Sequence, residues 1–151
     1  ALDNFNIIMK NAKENCPNAK VNGILVETMK KNGVELILGF NNDDQFGPMV
    51  MIGFGGVLVE VLKDVKLYPA PMSKHEALNM IKSLKGYKLL KGYRGTKSCD
   101  IEALADIIVK ISDFAYNNCD TIKELDINPL FIYPEGEGVV VIDALIVKYL
   151  S

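Results

Sequence analysis

The alternation of apolar and polar residues divides this chain into helical and extended stretches. Over residues 2–16, Phe5, Ile8, Met9 and Ala12 recur at helical spacing and Pro17 stands just past the end, which predicts a helix. Asn22-Gly23 is a turn signal, and residues 23–29 (GILVETM) read as a strand. The turn at residues 30–33 leads into residues 34–40 (VELILGF), a second strand expected to pair with the first as a hairpin. Residues 41–48 (NNDDQFGP) carry loop chemistry. Residues 48–54 and 56–62 then read as two strands separated at Gly55-Gly56. Pro69 and Pro71 keep the following KLYPAPM out of a central strand position, because proline cannot donate to the ladder.

Helical spacing returns at Ser73, whose partner Glu76 three residues later makes a capping box for a helix to about Leu84. Gly86, Gly92 and Gly95 punctuate a connecting segment. Asp100 is an N-cap for a long helix to about Asn117, with Leu104, Ile107, Ile108, Ile111, Phe114 and Ala115 on its apolar side. The pattern has no internal repeat or linker. It predicts a single α+β domain over residues 1–151, with a mainly antiparallel sheet and helices packed on it.

The stretch that concentrates chemistry is 124–143, ELDINPLFIYPEGEGVVVID. An apolar run, a Pro-Glu-Gly-Glu-Gly turn and a second branched run make a hairpin. Asp126 and Asn128 are two apart, so a strand puts both on one face. The midpoint between Asn128 and Asp143 falls between Glu135 and Gly136, so a symmetric turn there sets Asn128 opposite Asp143. Asparagine and carboxylate oxygens converging on a buried sheet face suit Mg²⁺, a hard cation that shares oxygen ligands with substrate phosphates. Spacing alone leaves the plainer reading open, in which Asp126 and Asn128 close a turn before Pro129 and Asp143 ends a strand.

Composition narrows the classes. The chain has 151 residues, 49% hydrophobic and 24% charged, with net charge −2, which gives no broad attraction to nucleic acid or an anionic membrane. Cys16, Cys99 and Cys119 are scattered and odd in number, as expected of reduced thiols in a cytoplasmic chain, not of a zinc site. No run spans a bilayer. The amphipathic opening, ALDNFNIIMK, suggests a subunit or a fragment that starts inside folded structure.

Other candidates carry less. Glu27 and Glu35 flank a basic turn; a strand end can offer backbone groups to a planar base while a carboxylate accepts ribose hydroxyls, or both glutamates are simply solvated on edge strands. Gly53, Gly55 and Gly56 precede a predicted strand and not a helix, which favours a bend over a phosphate loop. Arg94, in GYRGT, has the reach for a phosphate or the place of an ordinary surface arginine. His75, alone of its kind and in the first turn of a capped helix, reads as solvent-facing, and no nucleophilic triad can be assembled.

Taken in order, GILVETMKKNGVELILGF, the QFGP loop with VMIGFGGVLVEVLKDV, the YRG segment and ELDINPLFIYPEGEGVVVIDALI resemble the C-terminal part of the ATP-grasp region of nucleoside-diphosphate-forming acyl-CoA synthetases. That group includes ADP-forming acetate–CoA ligase and, more distantly, the succinyl-CoA synthetase β subunit. The resemblance implies one lobe of an ATP-grasp fold, with the backbone of Glu27 and Met29 meeting adenine and Glu35 holding ribose. It implies Mg²⁺ on Asn128 and Asp143, and a catalytic role for Asp126. ATP or ADP and Mg²⁺ are the implied cofactors, with CoA bound by other domains. The implied partners are the preceding lobe and a CoA-binding domain or subunit, in an oligomeric enzyme that forms acyl-CoA through an acyl-phosphate and a phosphohistidine. A regulatory ATP-grasp-like module of a protein acyltransferase and a nucleotide-free scaffold are the rival readings.

Overall fold

The computed structural model describes residues 2–30, 33–56, 63–93 and 95–149. The opening helix α1 (Leu2–Asn15) matches its prediction, yet none of its residues is buried. The central structure is a six-stranded antiparallel sheet: β1 (Val34–Asp43), β2 (Gly47–Phe54), β3 (Val65–Pro69), β4 (Ile122–Ile132), β5 (Val139–Val141) and β6 (Ala144–Lys148). Its order is β3-β2-β1-β4-β5, with β6 also paired to β4. Helices α2 (Lys74–Lys82), α3 (Tyr87–Leu90) and α4 (Ile101–Asn117) complete the described elements.

The predicted strand over residues 23–29 is not formed. Those residues are irregular, with Leu25 and Val26 more than four-fifths exposed. The reason lies in β1. One of its edges is paired with β2 from Leu36↔Phe54 to Asp43↔Gly47, and the other with β4 from Val34↔Ile132 to Asn41↔Glu124. No ladder remains for a third partner. The same pairing carries β1 through Asn41 and Asn42, shrinking the predicted loop to a turn in which Asp43 Oδ1 accepts the Gln45 and Phe46 amides at 2.8 and 2.9 Å. β3 takes the edge position, where Pro69 at its end is allowed. The predicted strand over 56–62 and Arg94 lie outside the described residues, apart from Gly56.

One face of the sheet carries the core. Leu36, Leu38 and Phe40 of β1, Val50, Ile52 and Phe54 of β2, and Leu125, Ile127, Leu130 and Ile132 of β4 are all buried. Helix α4 packs on β1 and β2 through Leu104, Ile108 and Ala115, and α2 packs against α4. Phe40 and Phe114 meet edge-to-face at 6.1 Å. Ser112 faces this interior, and its Oγ accepts the Met72 amide at 2.8 Å, which satisfies a buried donor. The opposite face of the sheet is uncovered by any described helix. Among the described residues no helix is long and apolar enough to cross a membrane.

Both predicted caps form. Ser73 and Glu76 make the reciprocal capping box of α2, and the Tyr68 hydroxyl also donates to Glu76 Oε1 at 2.8 Å. The Ser73 amide, the Ser73 hydroxyl and the Tyr68 hydroxyl together hold the Glu76 carboxyl down to about 2. His75 is exposed, as predicted. Asp100 does more than cap. Its Oδ1 accepts the Ala103 amide at 3.0 Å, while Oδ2 accepts the amides of Gly136 and Gly138 at 3.0 and 3.1 Å. It thereby fastens the start of α4 to the tip of the β4–β5 hairpin. The Ala103 amide lowers the Asp100 carboxyl below its ordinary range; burial opposes this, and the amides of Gly138 and Gly136 add to the lowering.

A carboxyl depressed on folding stabilises above its unfolded pKa, near 3.9, and that contribution is lost as pH falls through the lower folded value. Asp100→Ala is therefore expected to cost about 1–2 kcal/mol at pH 7, the range for a lost N-cap. Urea unfolding of both proteins from pH 7 to 2.5 should show the difference shrinking below pH 4. A gap independent of pH would show that the charge contributes nothing.

Candidate functional site

The hairpin turns where the sequence places it. The Glu137 amide donates to the Pro134 carbonyl at 2.9 Å, the Tyr133 amide to the Gly138 carbonyl at 3.0 Å, and Asp100 and the Ser98 carbonyl hold the tip from outside. From that turn the register runs unbroken through β4–β5 (Leu130↔Val141) and β4–β6 (Ile127↔Ala144). Asn128 consequently lies opposite Asp143, its amide donating to the Asp143 carbonyl at 3.1 Å.

On the other edge of β4 the pairing with β1 shifts between Leu36 and Leu38, so that Asn128 and Pro129 together oppose Ile37. A bulge of this kind bends the strand and re-aims its side chains. The bulge takes in Asn128 and Pro129, and Asp126 and Asn128 both stay turned away from the buried Leu125 and Ile127, on the uncovered face. The expected buried face is corrected here: Asn128 and Asp143 are exposed and Asp126 is half-buried, because the helices cover only the other side. Asp143 Oδ1 accepts the Ala144 amide at 2.9 Å; the Asn128 and Asp126 side chains have no hydrogen-bond partner among the described residues.

These donors fit a hard cation that takes few protein ligands. Oxygen atoms stand on β4 and on the facing β5–β6 connection, and are largely unspent. No group of three His, Cys, Asp or Glu side chains assembles a closed metal cage among the described residues. Mg²⁺ usually keeps waters and phosphate oxygens beside one or two carboxylates, so an open pair suits it.

Glu27 and Met29 are not on a strand, yet they are brought to the same hairpin. Residues 27–30 and Val140, Val141 and Ile142 line a cavity of about 290 Å³. No hydrogen bond among the described residues uses the backbone groups of 27–29, so they are free to receive a planar ligand edge-on. Glu35 is exposed on β1 opposite Phe131, three residues along β4 from Asn128. At about 3.4 Å per residue that separation is roughly 10 Å.

A second concavity, about 340 Å³, extends the uncovered face beyond Asp126. It is lined by Asn41, Met51, Leu67, Glu124 and Asp126, with Phe40 and Leu125. Sequence reading passed over Asn41, Met51, Leu67 and Glu124. The available signal was the period of two, which puts them on the strand faces opposite the core residues. A third cavity of about 270 Å³ lies on the helical side near the start of α4. Its Asp100 and Glu135 oxygens already accept from Ala103, Gly136, Gly138 and Ser98, so it is structural in character.

Comparison with known proteins places this chain among relatives. The model of the ATP-grasp domain family matches residues 1–147. The β subunit of ADP-forming acetate–CoA ligase II from Pyrococcus furiosus is 44% identical over 140 residues, covering 93% of this chain and 59% of that protein. The dinucleotide-forming acetyl-coenzyme A synthetase 1 of Candidatus Korarchaeum cryptofilum, in complex with coenzyme A, acetyl-coenzyme A and a phosphorylated phosphohistidine segment, superposes with a TM-score of 0.88. That match is 45% identical and covers 96% of this chain and 63% of the other. The same synthetase with coenzyme A and Mg-AMPPCP, its phosphohistidine segment pointing towards the nucleotide-binding site, gives a TM-score of 0.74 at 45% identity. It covers 80% of this chain and 55% of that one. The chain thus spans between 55% and 63% of the length of these relatives.

Proposed function

Because this chain belongs to the ATP-grasp domain family and resembles the ADP-forming acetate–CoA ligases, we propose that it is the nucleotide- and Mg²⁺-binding part of an ADP-forming acyl-CoA synthetase. The reaction is the reversible conversion of acid, CoA and ATP to acyl-CoA, ADP and phosphate. The observation that carries the reading is the hairpin register, which sets Asn128 opposite Asp143 on the uncovered sheet face that also holds Asp126.

The nucleotide lies along that face. The free backbone of Glu27 and Met29 receives the base, Glu35 accepts the ribose hydroxyls, and Asn128 with Asp143 would hold Mg²⁺ at the phosphates. When bound, the metal neutralises charge on the phosphate oxygens. Asp126, next along β4, faces the reacting phosphoryl group and positions what approaches it. This is catalysis by placement and electrostatics, the usual division of labour in phosphoryl transfer. The site is open on its own, so water is excluded only when a second lobe closes over it. The preceding ATP-grasp lobe and a CoA-binding domain are the partners this requires, in line with the length of the relatives.

Calorimetric titration with ADP, with and without Mg²⁺, tests the reading on the chain alone and after mixing with the missing lobe of a relative. Mg²⁺-dependent binding is expected, strongest in the mixture. A folded chain that binds ADP in neither case would favour the scaffold reading.

A further inference from the structure

We propose that Gly56 is a positioning residue for Glu35. The Gly55-Gly56 turn is the seat that sets the Glu35 carboxylate, and discrimination of ribonucleotides from 2′-deoxyribonucleotides depends on the absence of a side chain at 56. The inference rests on the reading of Glu35 as the ribose acceptor.

The turn meets Glu35 at two levels. Along the backbone, the Gly55 amide donates to the Glu35 carbonyl at 2.8 Å. A Cβ on Gly55 would lie 3.2–3.3 Å from the Glu35 carbonyl carbon, carbonyl oxygen and Cβ, so the two main chains are in close approach. One residue on, Gly56 has φ +57°, in the left-handed region, and a Cβ there would fall on Glu35 Oε2 and stand 3.1 Å from Cδ. Glu35 is otherwise exposed, and its carboxylate has no hydrogen-bond partner among the described residues. The glycine turn is what it rests against.

A side chain at 56 has an inexpensive relief, since the carboxylate is the free end of a flexible side chain and can turn into another rotamer. The fold survives that move, while an acceptor that must meet two vicinal hydroxyls is displaced. A matched control exists in Gly47, at φ +72° at the start of β2, where a Cβ would meet nothing within 4 Å. Gly47→Ala incurs the same left-handed cost without touching Glu35.

The test has two parts. In the chain alone, the ¹³C resonance of the Glu35 side-chain carboxyl should move in Gly56→Ala and stay in place in Gly47→Ala. In the assembly that binds nucleotide, wild type should prefer ADP to 2′-deoxy-ADP by about ten- to a hundredfold, the scale of one hydrogen bond to a charged acceptor. Gly56→Ala should bring that ratio close to one, with ADP affinity falling more than that of 2′-deoxy-ADP, which has only the 3′-hydroxyl to lose, and Gly47→Ala should keep it. If Glu35→Gln abolishes the preference and Gly56→Ala retains it, the positioning role is overturned and the ribose reading stands. If Glu35→Gln retains the preference, the ribose reading falls and this proposal with it. A Gly56→Ala chain that fails to fold where Gly47→Ala folds also overturns the proposal, because it denies the easy relief.

Discussion

Asp143→Asn is expected to weaken Mg²⁺-dependent ADP binding by about a hundredfold, as loss of a charged contact worth about 3 kcal/mol would do. The substitution keeps an oxygen that can still accept the Ala144 amide and removes only the charge. Asp143 is exposed and makes no buried contact, so unfolding free energy should stay within about 0.5 kcal/mol of wild type. Asn128→Ala should act in the same direction and less strongly, since a neutral ligand contributes less to a divalent site. Titrations at several Mg²⁺ concentrations, and with the metal chelated, separate the two terms: the variants should differ from wild type only when Mg²⁺ is present. An affinity with unchanged metal dependence would remove Asp143 from the site.

Gly39→Val should have the largest effect on the fold, about 3 kcal/mol or more, and at the upper end should prevent folding. Gly39 is buried in β1, the strand paired on both edges. A Cβ there would strike the Leu125 carbonyl oxygen and lie 3.3 Å from its carbon and 3.4 Å from Asp126 Cα. These are backbone atoms of β4, which cannot turn aside as a side chain does. Relief requires β1 and β4 to part, and that would displace Asp126 and Asn128 together. Gly136→Ala is the contrast: φ is +84° but a Cβ meets nothing within 4 Å, so only the left-handed cost of about 1–2 kcal/mol applies. Chemical denaturation of the three proteins should rank them wild type, Gly136→Ala, Gly39→Val. A Gly39→Val protein as stable as Gly136→Ala would mean that the sheet absorbs the intrusion.

Local signals were legible wherever neighbours in sequence are neighbours in space. The capping box at Ser73 and Glu76, the N-cap at Asp100, the apolar side of α4 and the edge place of β3 all follow from the spacing of a few residues. So does the hairpin centre between Glu135 and Gly136, which puts Asn128 across from Asp143 by counting alone. Pairing between distant strands was not legible in the same way. Residues 23–29 have the composition of a strand, but both edges of β1 are taken by β2 and β4, and strand propensity without a free ladder produces no strand. What the sequence by itself determined is the three long helices, the caps of α2 and α4, and the opposition of Asn128 and Asp143. Only the tertiary structure decided which sheet face the helices cover, and hence that the oxygen donors face outward. It also decided that Glu35 rests on Gly55-Gly56 and that Asn41, Met51, Leu67 and Glu124 border Asp126. Those relations join strands far apart in the chain, and long-range packing settles them where local periodicity cannot.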